Sequence, residues 1–179
     1  IRRAVSYGGI LNFIGMKIGY PCINQTLDCS SSRTFRLASY SEERLIETVE
    51  QNLACLRRIL EYNVQHGLLF FRLTSDLVPF ASHAVNRYNW QEHFRMTFRR
   101  LGDYIKSHNM RISMHPDQFV VLNSPNEQTV RNSIAELVYQ GSVLDLMGLD
   151  MGFGWLLDVK PHPDYAANGW ITAESHDDL

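Results

Sequence analysis

Two histidines that follow apolar segments are the residues of this sequence best suited to chemistry. His115 comes directly after Arg111–Met114 and before Pro116, and His83 closes the segment Pro79–His83. A neutral imidazole binds divalent metals, and a strand fixes the direction of the side chains at its end. Both histidines could therefore be metal ligands. The alternative for each is a structural histidine beside a turn, and two imidazoles do not complete the multi-ligand site that metal-assisted phosphate-ester cleavage needs.

The elements that would position these histidines alternate between strand and helix. Apolar residues keep a helical spacing from Glu42 to Gln65, with Ser41 as N-cap and Gly67 as a stop signal. A second helix is predicted over Trp90–His108. A third should begin at the Ser124–Glu127 box, with Pro125 at its first position and Glu127 at its third, and end at Gly148. Its buried face is predicted to hold Val130, Ile134, Leu137 and Leu144.

The predicted strands and loops point to one elaborated side of a parallel sheet. Strands are predicted at Met16–Tyr20, Leu68–Leu73 and Arg111–Met114, and this order gives parallel βαβ units. The strand-to-helix loops are long against a usual length of about 2–6 residues, whereas the returns are minimal. Loops that follow parallel strands share one side, where such folds hold their active sites. We predict that His83 and His115 lie there and that His66, His93 and His108 lie at helix ends away from it.

The length and composition suit one globular domain, or part of a larger one, without an overall basic field. The chain has 179 residues, 45% of them hydrophobic, and a net charge of −2. This excludes a purely electrostatic DNA coat but allows a local basic groove. No apolar run reaches the ~18–20 residues that span a membrane. Because Cys22, Cys29 and Cys55 are odd in number and form no Cys-x-x-Cys pair, we expect no disulfide scaffold and a reducing, intracellular location.

The two ends of the sequence differ from its alternating middle. Residues 1–15 carry two arginines and no acid and lack the continuous apolar region of a secretory signal. We interpret them as a non-core extension before a natural start at Met16. Residues 151–179 are interpreted as a divergent, frameshifted or truncated tail, in which Trp155–Val159 could form a fourth strand. The roles of His162, Asp164 and His176 stay open.

Three motifs together resemble the UV damage endonuclease family. They are Lys17-Ile-Gly-Tyr20-Pro21-Cys22-Ile-Asn24, Pro79-Phe-Ala-Ser-His83 with Asn89-Trp90 after it, and Ser113-Met-His115-Pro116-Asp-Gln118-Phe119. Each motif is weak alone, and their combination over about residues 16–150 is specific. Members of that family are TIM-barrel DNA-repair enzymes that incise the strand immediately 5′ to a UV photoproduct. The resemblance implies a (β/α)8 barrel of which residues 16–150 form about the first half, three to four βα units, since a full barrel takes ~250 residues.

The resemblance also implies a metal-centred catalytic group. His83 and His115 would be metal ligands, and Asn24 would lie beside the metals. The expected ion is Mn²⁺, with Mg²⁺, Co²⁺ or Zn²⁺ as alternatives. The family's other Glu, Asp and His ligands would follow the third helix, where this sequence has Asp158 in place of a strand-end histidine.

A second group would contact DNA. Tyr20 matches the family tyrosine at the distorted duplex, and Gln118 with Phe119 matches a pair that probes the lesion. Phe119 replaces the usual tyrosine, which stacking tolerates because it needs the ring more than the hydroxyl. Arg33 and Arg36, with Arg72, are candidate phosphate contacts. Solvated loop charge explains each of these arginines equally well.

The expected function is that of a metal-dependent endonuclease acting on UV-damaged double-stranded DNA, without an obligate protein partner. In a prokaryote it would be cytoplasmic and nucleoid-associated. Because an open strand edge favours association, we expect the half barrel alone to be oligomeric or poorly soluble, with little nuclease activity. Two alternatives stay open: a sugar-isomerase-like TIM-barrel metalloenzyme, and a catalytically inactive remnant that binds DNA.

Overall fold

The computed structural model describes residues 16–114, 116 and 119–149 as an α/β unit with a parallel sheet. The predicted alternation of strands and helices is confirmed. The strands are β1 (Gly19–Pro21), β2 (Phe70–Leu73) and β3 (Arg111–Met114), and the helices are α1 (Glu42–Gln65), α2 (Trp90–Ser107) and α3 (Glu127–Leu146). Among these helices, none is both long and apolar enough to cross a membrane. The predicted extension 1–15, the tail 151–179 and the fourth strand lie outside the described residues.

The three strands pair in the order β1-β2-β3, all parallel. Tyr20, Phe71 and Ile112 are neighbours across the sheet. β1 and β2 begin later than predicted. The carbonyl oxygens of Ile18 and Leu69 accept the first hydrogen bonds of the ladder, from the N–H groups of Phe70 and Arg111 at 3.1 and 2.7 Å, and the residue pairs start at Gly19 and Phe70. Gly19 is required by the close approach of these strands: a Cβ there would lie 1.6 Å from the carbonyl oxygen of Phe70.

Helix α1 forms between the two signals that predicted it. The Ser41 hydroxyl accepts a hydrogen bond from the Arg44 backbone N–H at 3.2 Å, which caps the first turn. Gly67 follows the helix with a φ of +70°, a left-handed conformation that glycine adopts without strain. Both predicted ends of the helix are therefore confirmed.

Helix α3 begins later than the sequence box suggested. Its N-cap is Asn126, whose Oδ1 accepts hydrogen bonds from the N–H groups of Gln128 and Thr129 at 2.8 and 3.2 Å. Ser124 instead accepts from the Asn126 N–H at 3.2 Å, in the turn before the helix. The prediction of Ser124 as cap was wrong because Ser124 and Asn126, two positions apart, both have capping side chains, and it is the Asn126 side chain that reaches the free N–H groups of the first turn.

The buried face of α3 also differs from the prediction. The buried residues of this helix are Ser133, Tyr139, Gln140, Val143 and Leu144. Ile134, predicted in the core, is 49% exposed, and Val138 is 62% exposed. The helix therefore has an apolar stripe that the described residues leave uncovered, in addition to the stripe that packs on α2.

The two faces of the sheet have different chemistry. Phe71, Leu73, Ile112 and Met114 are fully buried in the core, together with apolar side chains of all three helices. Because successive strand residues alternate between faces, the neighbours of these four residues point to the other side of the sheet. Those neighbours are Phe70, Arg72, Arg111 and Ser113. One layer of helices thus covers one face, and the opposite face is partly polar.

Candidate active-site edge

The carboxyl ends of the three strands form one edge of the sheet, where the long loops begin. The parallel register places the ends of β1, β2 and β3 side by side. We call 22–41 the first loop and 74–89 the second loop. The returns 66–69 and 108–110 are short, as predicted. The first and second loops therefore both lie at the carboxyl edge, as predicted.

Asn52, on α1, holds the two loops together. Its side chain is fully buried. Its Oδ1 accepts the Arg33 N–H at 2.9 Å, and its Nδ2 lies 3.0 Å from the carbonyl oxygen of Arg33 and 3.2 Å from that of Leu77. The sequence analysis missed this residue, although a polar side chain between Val49 and Leu56 on an otherwise apolar helix stripe was the available signal.

The backbone of Arg33 is thereby fixed while its side chain is exposed. Arg36 is exposed as well, at the start of the short 3-10 turn Leu37–Ser39. Neither guanidinium group has a hydrogen bond or ion pair within the part of the chain that the structure describes. Both guanidinium groups are therefore available to an anion at the carboxyl edge.

Three aromatic rings form a second connection between the loops, which we call the aromatic bridge: Phe35, Tyr40 and Phe80. The Phe80 ring lies 5.2 Å from that of Phe35 and 6.0 Å from that of Tyr40, both edge to face. The guanidinium of Arg44 lies over the Phe35 ring at 5.1 Å. Edge-to-face rings at these distances attract one another, so the bridge stabilises the relative position of the loops.

Helix α3 supports the second loop from the other side. The Tyr139 hydroxyl accepts the Val78 N–H at 3.0 Å and donates to the Ser75 carbonyl at 2.9 Å. Burial raises the pKa of Tyr139 far above its usual value, so the hydroxyl stays protonated. The Ser82 hydroxyl donates to Glu136 Oε2 at 2.7 Å. The residue next to His83 is therefore anchored to α3.

His83 is exposed on the second loop, and its ring is already hydrogen-bonded. Its Nδ1 accepts the Val85 backbone N–H at 3.0 Å. A neutral imidazole that accepts at Nδ1 carries its proton on Nε2, and a protonated nitrogen cannot bind a metal. Coordination through Nε2 therefore requires His83 to give up the Val85 hydrogen bond.

The described residues do not by themselves make a metal site. Within 16–114, 116 and 119–149, no three His, Cys, Asp or Glu side chains lie close enough together to hold an ion. His115 lies outside the described residues, so no distance between His83 and His115 is given. Of the predicted ligands, His83 alone is described.

Tyr20 and Asn24 lie together, but the Tyr20 hydroxyl is occupied. It donates to Asn63 Oδ1 at 2.6 Å and accepts from Asn24 Nδ2 at 2.5 Å. Asn63 is in the last turn of α1. Burial raises the pKa of Tyr20, against a smaller lowering by these two hydrogen bonds. Asn24 Oδ1 also accepts the Thr26 N–H at 2.9 Å, so this pair fixes the start of the first loop.

Phe119 is the most exposed of the aromatic residues predicted to touch DNA. Its side chain is 74% exposed. It borders a cavity of about 220 Å³ that Ser82, Asn132 and Glu136 also line. The structure therefore brings Phe119 close to the loop that carries His83, whereas Gln118 lies outside the described residues.

A larger cavity lies elsewhere. It has a volume of about 460 Å³ and lies between α1 and α2, with Arg57, His93 and Arg100 in its wall. None of the predicted site residues borders it.

His93 was predicted at a helix end away from the carboxyl edge. It lies instead in the first turn of α2, which is at that edge, and its Nδ1 is 2.5 Å from the Tyr88 hydroxyl.

The cysteines correct one prediction. Cys29 of the first loop and Cys55 of α1 form a disulfide, with their Cα atoms 5.8 Å apart. The prediction of no disulfide was based on the odd number of cysteines. It was wrong because two of the three, 26 positions apart in sequence, are brought together by the fold, which the sequence alone does not show. Cys22 is the free cysteine, and burial raises the pKa of its thiol. The absence of a disulfide therefore no longer supports a reducing location.

Comparison with known proteins finds relatives in the family that the sequence motifs resemble, over most of the chain. Residues 16–157 match the family model described as UV-endonuclease UvdE. A UV DNA damage endonuclease of Clostridium perfringens (strain 13 / Type A) is 36% identical over 135 residues, which are 75% of this chain and 33% of that protein. One of Bacillus thuringiensis subsp. konkukian (strain 97-27) is 34% identical over 142 residues, or 75% of this chain and 45% of that protein.

A solved structure agrees with these sequence relatives. The structure titled "Crystal Structure of SacUVDE" superimposes with a TM-score of 0.73 and 46% sequence identity, over 75% of this chain and 46% of that chain. This chain spans less than half the length of each of these three proteins. The match over 16–157, the parallel sheet and the long loops at its carboxyl edge together show that the chain belongs to the UV-endonuclease UvdE family.

Proposed function

We propose that this chain forms the first half of an endonuclease that incises DNA 5′ to UV photoproducts. The observation that carries the proposal is the family match over residues 16–157, most of which form the sheet and helices that support the carboxyl edge. Relatives of this chain bear the name UV DNA damage endonuclease. Its substrate would be UV-damaged double-stranded DNA, and no protein partner is required by the proposal.

The proposed architecture is half of a (β/α)8 barrel. Three parallel strands in sequential order, with helices on one face, correspond to three consecutive βα units of such a barrel. The exposed stripe with Ile134 and Val138 on α3 is where a fourth helix would pack. The partly polar sheet face with Arg72 and Arg111 would then face the barrel interior.

The DNA contacts would divide between two parts of the carboxyl edge. Arg33 and Arg36 are exposed, and their guanidinium groups suit the phosphate backbone. Phe119, with Gln118 before it, would probe the lesion, since an exposed ring stacks into a disturbed base step. The hydrogen bonds of Tyr20 and Asn24 stabilise the start of the first loop. Contact of the Tyr20 hydroxyl with DNA would therefore require it to give up its hydrogen bond with Asn63 or Asn24.

The proposed activity depends on divalent metal, with Mn²⁺ expected and Mg²⁺, Co²⁺ or Zn²⁺ as alternatives. His83 and His115 would contribute ligands, and Asn24 would lie nearby. When bound, such ions polarise a phosphodiester and its attacking water. The described residues supply one imidazole, so the remaining ligands must come from other parts of the protein. Because the substrate is chromosomal DNA, we propose a cytoplasmic, nucleoid-associated location in a prokaryote.

Binding to damaged DNA tests the proposal on the chain itself. We expect the chain to bind a duplex that holds a single cyclobutane dimer more tightly than the undamaged duplex. Replacing both Arg33 and Arg36 by glutamine should weaken binding to both duplexes and reduce the salt slope by about 2, one for each phosphate contact. Arg58→Gln is the matched control, because Arg58 is exposed on α1 outside the carboxyl edge.

The outcomes separate the alternatives. Equal affinity for damaged and undamaged duplex would contradict lesion recognition and favour a remnant with general DNA affinity. If the unchanged chain binds neither duplex and converts an aldose to a ketose in the presence of manganese, the sugar-isomerase hypothesis is favoured. Incision is to be scored by the position of the cut, which must lie immediately 5′ to the dimer.

A further inference from the structure

We propose that Phe80 is a positioning residue for His83. Phe35 and Tyr40 of the first loop hold the Phe80 ring in place. The aromatic bridge would make the first and second loops move as one unit and would set where the imidazole is presented. This inference rests on the proposed function only for its catalytic consequence. The mechanical coupling between the loops stands on the geometry alone.

The first observation is the backbone at Phe80. Residues Val78–Ala81 form a turn in which the Ala81 N–H donates to the Val78 carbonyl at 3.3 Å. Pro79 occupies the second position, and Phe80 occupies the third with a φ of +57°. A type II turn ordinarily has glycine or asparagine at that position, because a side chain there is strained. A strained phenylalanine indicates that its ring contributes something that glycine would lack.

The second observation is what the ring touches. Phe80 contacts Phe35 and Tyr40 of the first loop at 5.2 and 6.0 Å between ring centres. These partners lie 45 and 40 positions earlier in the sequence, so the contact is tertiary and not a property of the turn. Phe80 is half-buried and lies outside the main apolar core. Its ring therefore links two loops and does not fill the protein interior.

The third observation is the set of contacts from Phe80 to His83. The His83 N–H donates to the Phe80 carbonyl at 3.0 Å, and the two rings meet edge to face at 6.3 Å. Beyond the histidine, the Asn86 N–H donates to the His83 carbonyl at 3.0 Å. The Tyr40 hydroxyl donates to Asn86 Oδ1 at 3.1 Å. The aromatic bridge thus holds the backbone on both sides of His83.

The exchange rate of the Val85 amide reports this arrangement, because that N–H is bonded to the His83 ring. In the full chain without metal, Phe35→Leu should raise the Val85 exchange rate by about tenfold, although Phe35 lies in the other loop. Phe80→Gly should do the same while relieving the strained φ, and Phe80→Tyr should stay within about threefold of the unchanged protein. Tyr62→Leu is the control, since Tyr62 stacks on His66 at 4.0 Å at the far end of α1.

Exchange at Leu53 and Leu56, buried in α1, shows in the same experiment that each variant is folded. An unchanged Val85 rate in Phe35→Leu would overturn the coupling, and so would an equal increase in the Tyr62→Leu control. An increase in Phe80→Tyr as large as that in Phe80→Gly would show that the ring does not position His83.

The catalytic consequence has a separate readout. In the metal-loaded endonuclease, Phe80→Gly should lower kcat about tenfold and leave KM within about twofold, because it moves a ligand and removes no DNA contact. A rise in KM at unchanged kcat would assign Phe80 to DNA binding and overturn the positioning role. Should the unchanged protein fail to incise damaged DNA, the proposed function fails while the exchange result still decides the coupling.

Discussion

Tyr139 anchors the second loop through one hydroxyl, and removing that hydroxyl tests whether the loop is fixed from α3. The Tyr139 oxygen accepts from the Val78 N–H and donates to the Ser75 carbonyl. Val78 is 1% exposed and Tyr139 is 4% exposed. In Tyr139→Phe the ring keeps its contacts with Trp90 at 5.8 Å between centres, so the substitution removes two hydrogen bonds with little loss of packing.

The magnitude follows from the fate of the two backbone groups. An unsatisfied buried N–H costs about 1–3 kcal/mol, and a partly solvated carbonyl that loses one donor costs about 0.5–1 kcal/mol. Water can reach Ser75, which is partly exposed, but it cannot reach Val78. We therefore expect Tyr139→Phe to lower the free energy of unfolding by about 2–3 kcal/mol.

Urea unfolding followed by far-UV circular dichroism measures this quantity from the shift in midpoint at constant m. Tyr62→Phe is the matched control: no hydrogen bond of its hydroxyl appears in the described ranges, and a change within about 0.5 kcal/mol is expected. A loss below about 0.5 kcal/mol in Tyr139→Phe would refute the reasoning, because it would mean that Val78 finds another acceptor.

Three further predictions concern pH, the third helix and the disulfide. The pKa of Tyr139 is raised in the folded state, so the hydroxyl contributes its full stabilisation below the unfolded pKa of about 10, and this stabilisation is lost as the pH rises toward the folded value. Above about pH 10 the free energy of unfolding of the unchanged protein should therefore fall more steeply with pH than that of Tyr139→Phe, as measured by urea midpoints. Asn126→Ala should cost about 1 kcal/mol by removing the α3 cap, against less than about 0.5 kcal/mol for Ser124→Ala, and equal losses would contradict the cap assignment. Reducing Cys29–Cys55, whose residues are 26 apart in sequence, should lower stability by about 3.5 kcal/mol by loop entropy, seen as a lower melting temperature in dithiothreitol. Cys22→Ser without dithiothreitol is the control, because it leaves the disulfide intact and should not lower the melting temperature.

Local signals explain why the helices were predictable. Ser41 and Gly67 bracket α1, and the spacing of apolar residues between them is enough to form an amphipathic helix. Where two local signals competed, the prediction was wrong, as at Ser124 and Asn126. Capping depends on which side chain reaches the first free N–H groups, and a sequence pattern does not measure that distance.

The candidate site was predictable to a smaller degree. Long loops after each strand pointed to the carboxyl edge, because parallel strands place their ends together. The supports of that edge were missed. Asn52, the Cys29–Cys55 disulfide and the aromatic bridge join residues 19 to 45 positions apart, and such pairs leave no periodic signal.

The sequence by itself determined the order of strands and helices, the edge of the sheet that carries the loops, and the family resemblance of the motifs at Tyr20, His83 and His115. Each of these depends on residues within a few positions of one another. Only the tertiary structure decided that Tyr20 bonds to Asn63, that the His83 ring accepts from Val85, and that Phe80 contacts the first loop. The orientation of a polar or aromatic side chain depends on partners that the fold brings close, and those partners are distant in sequence.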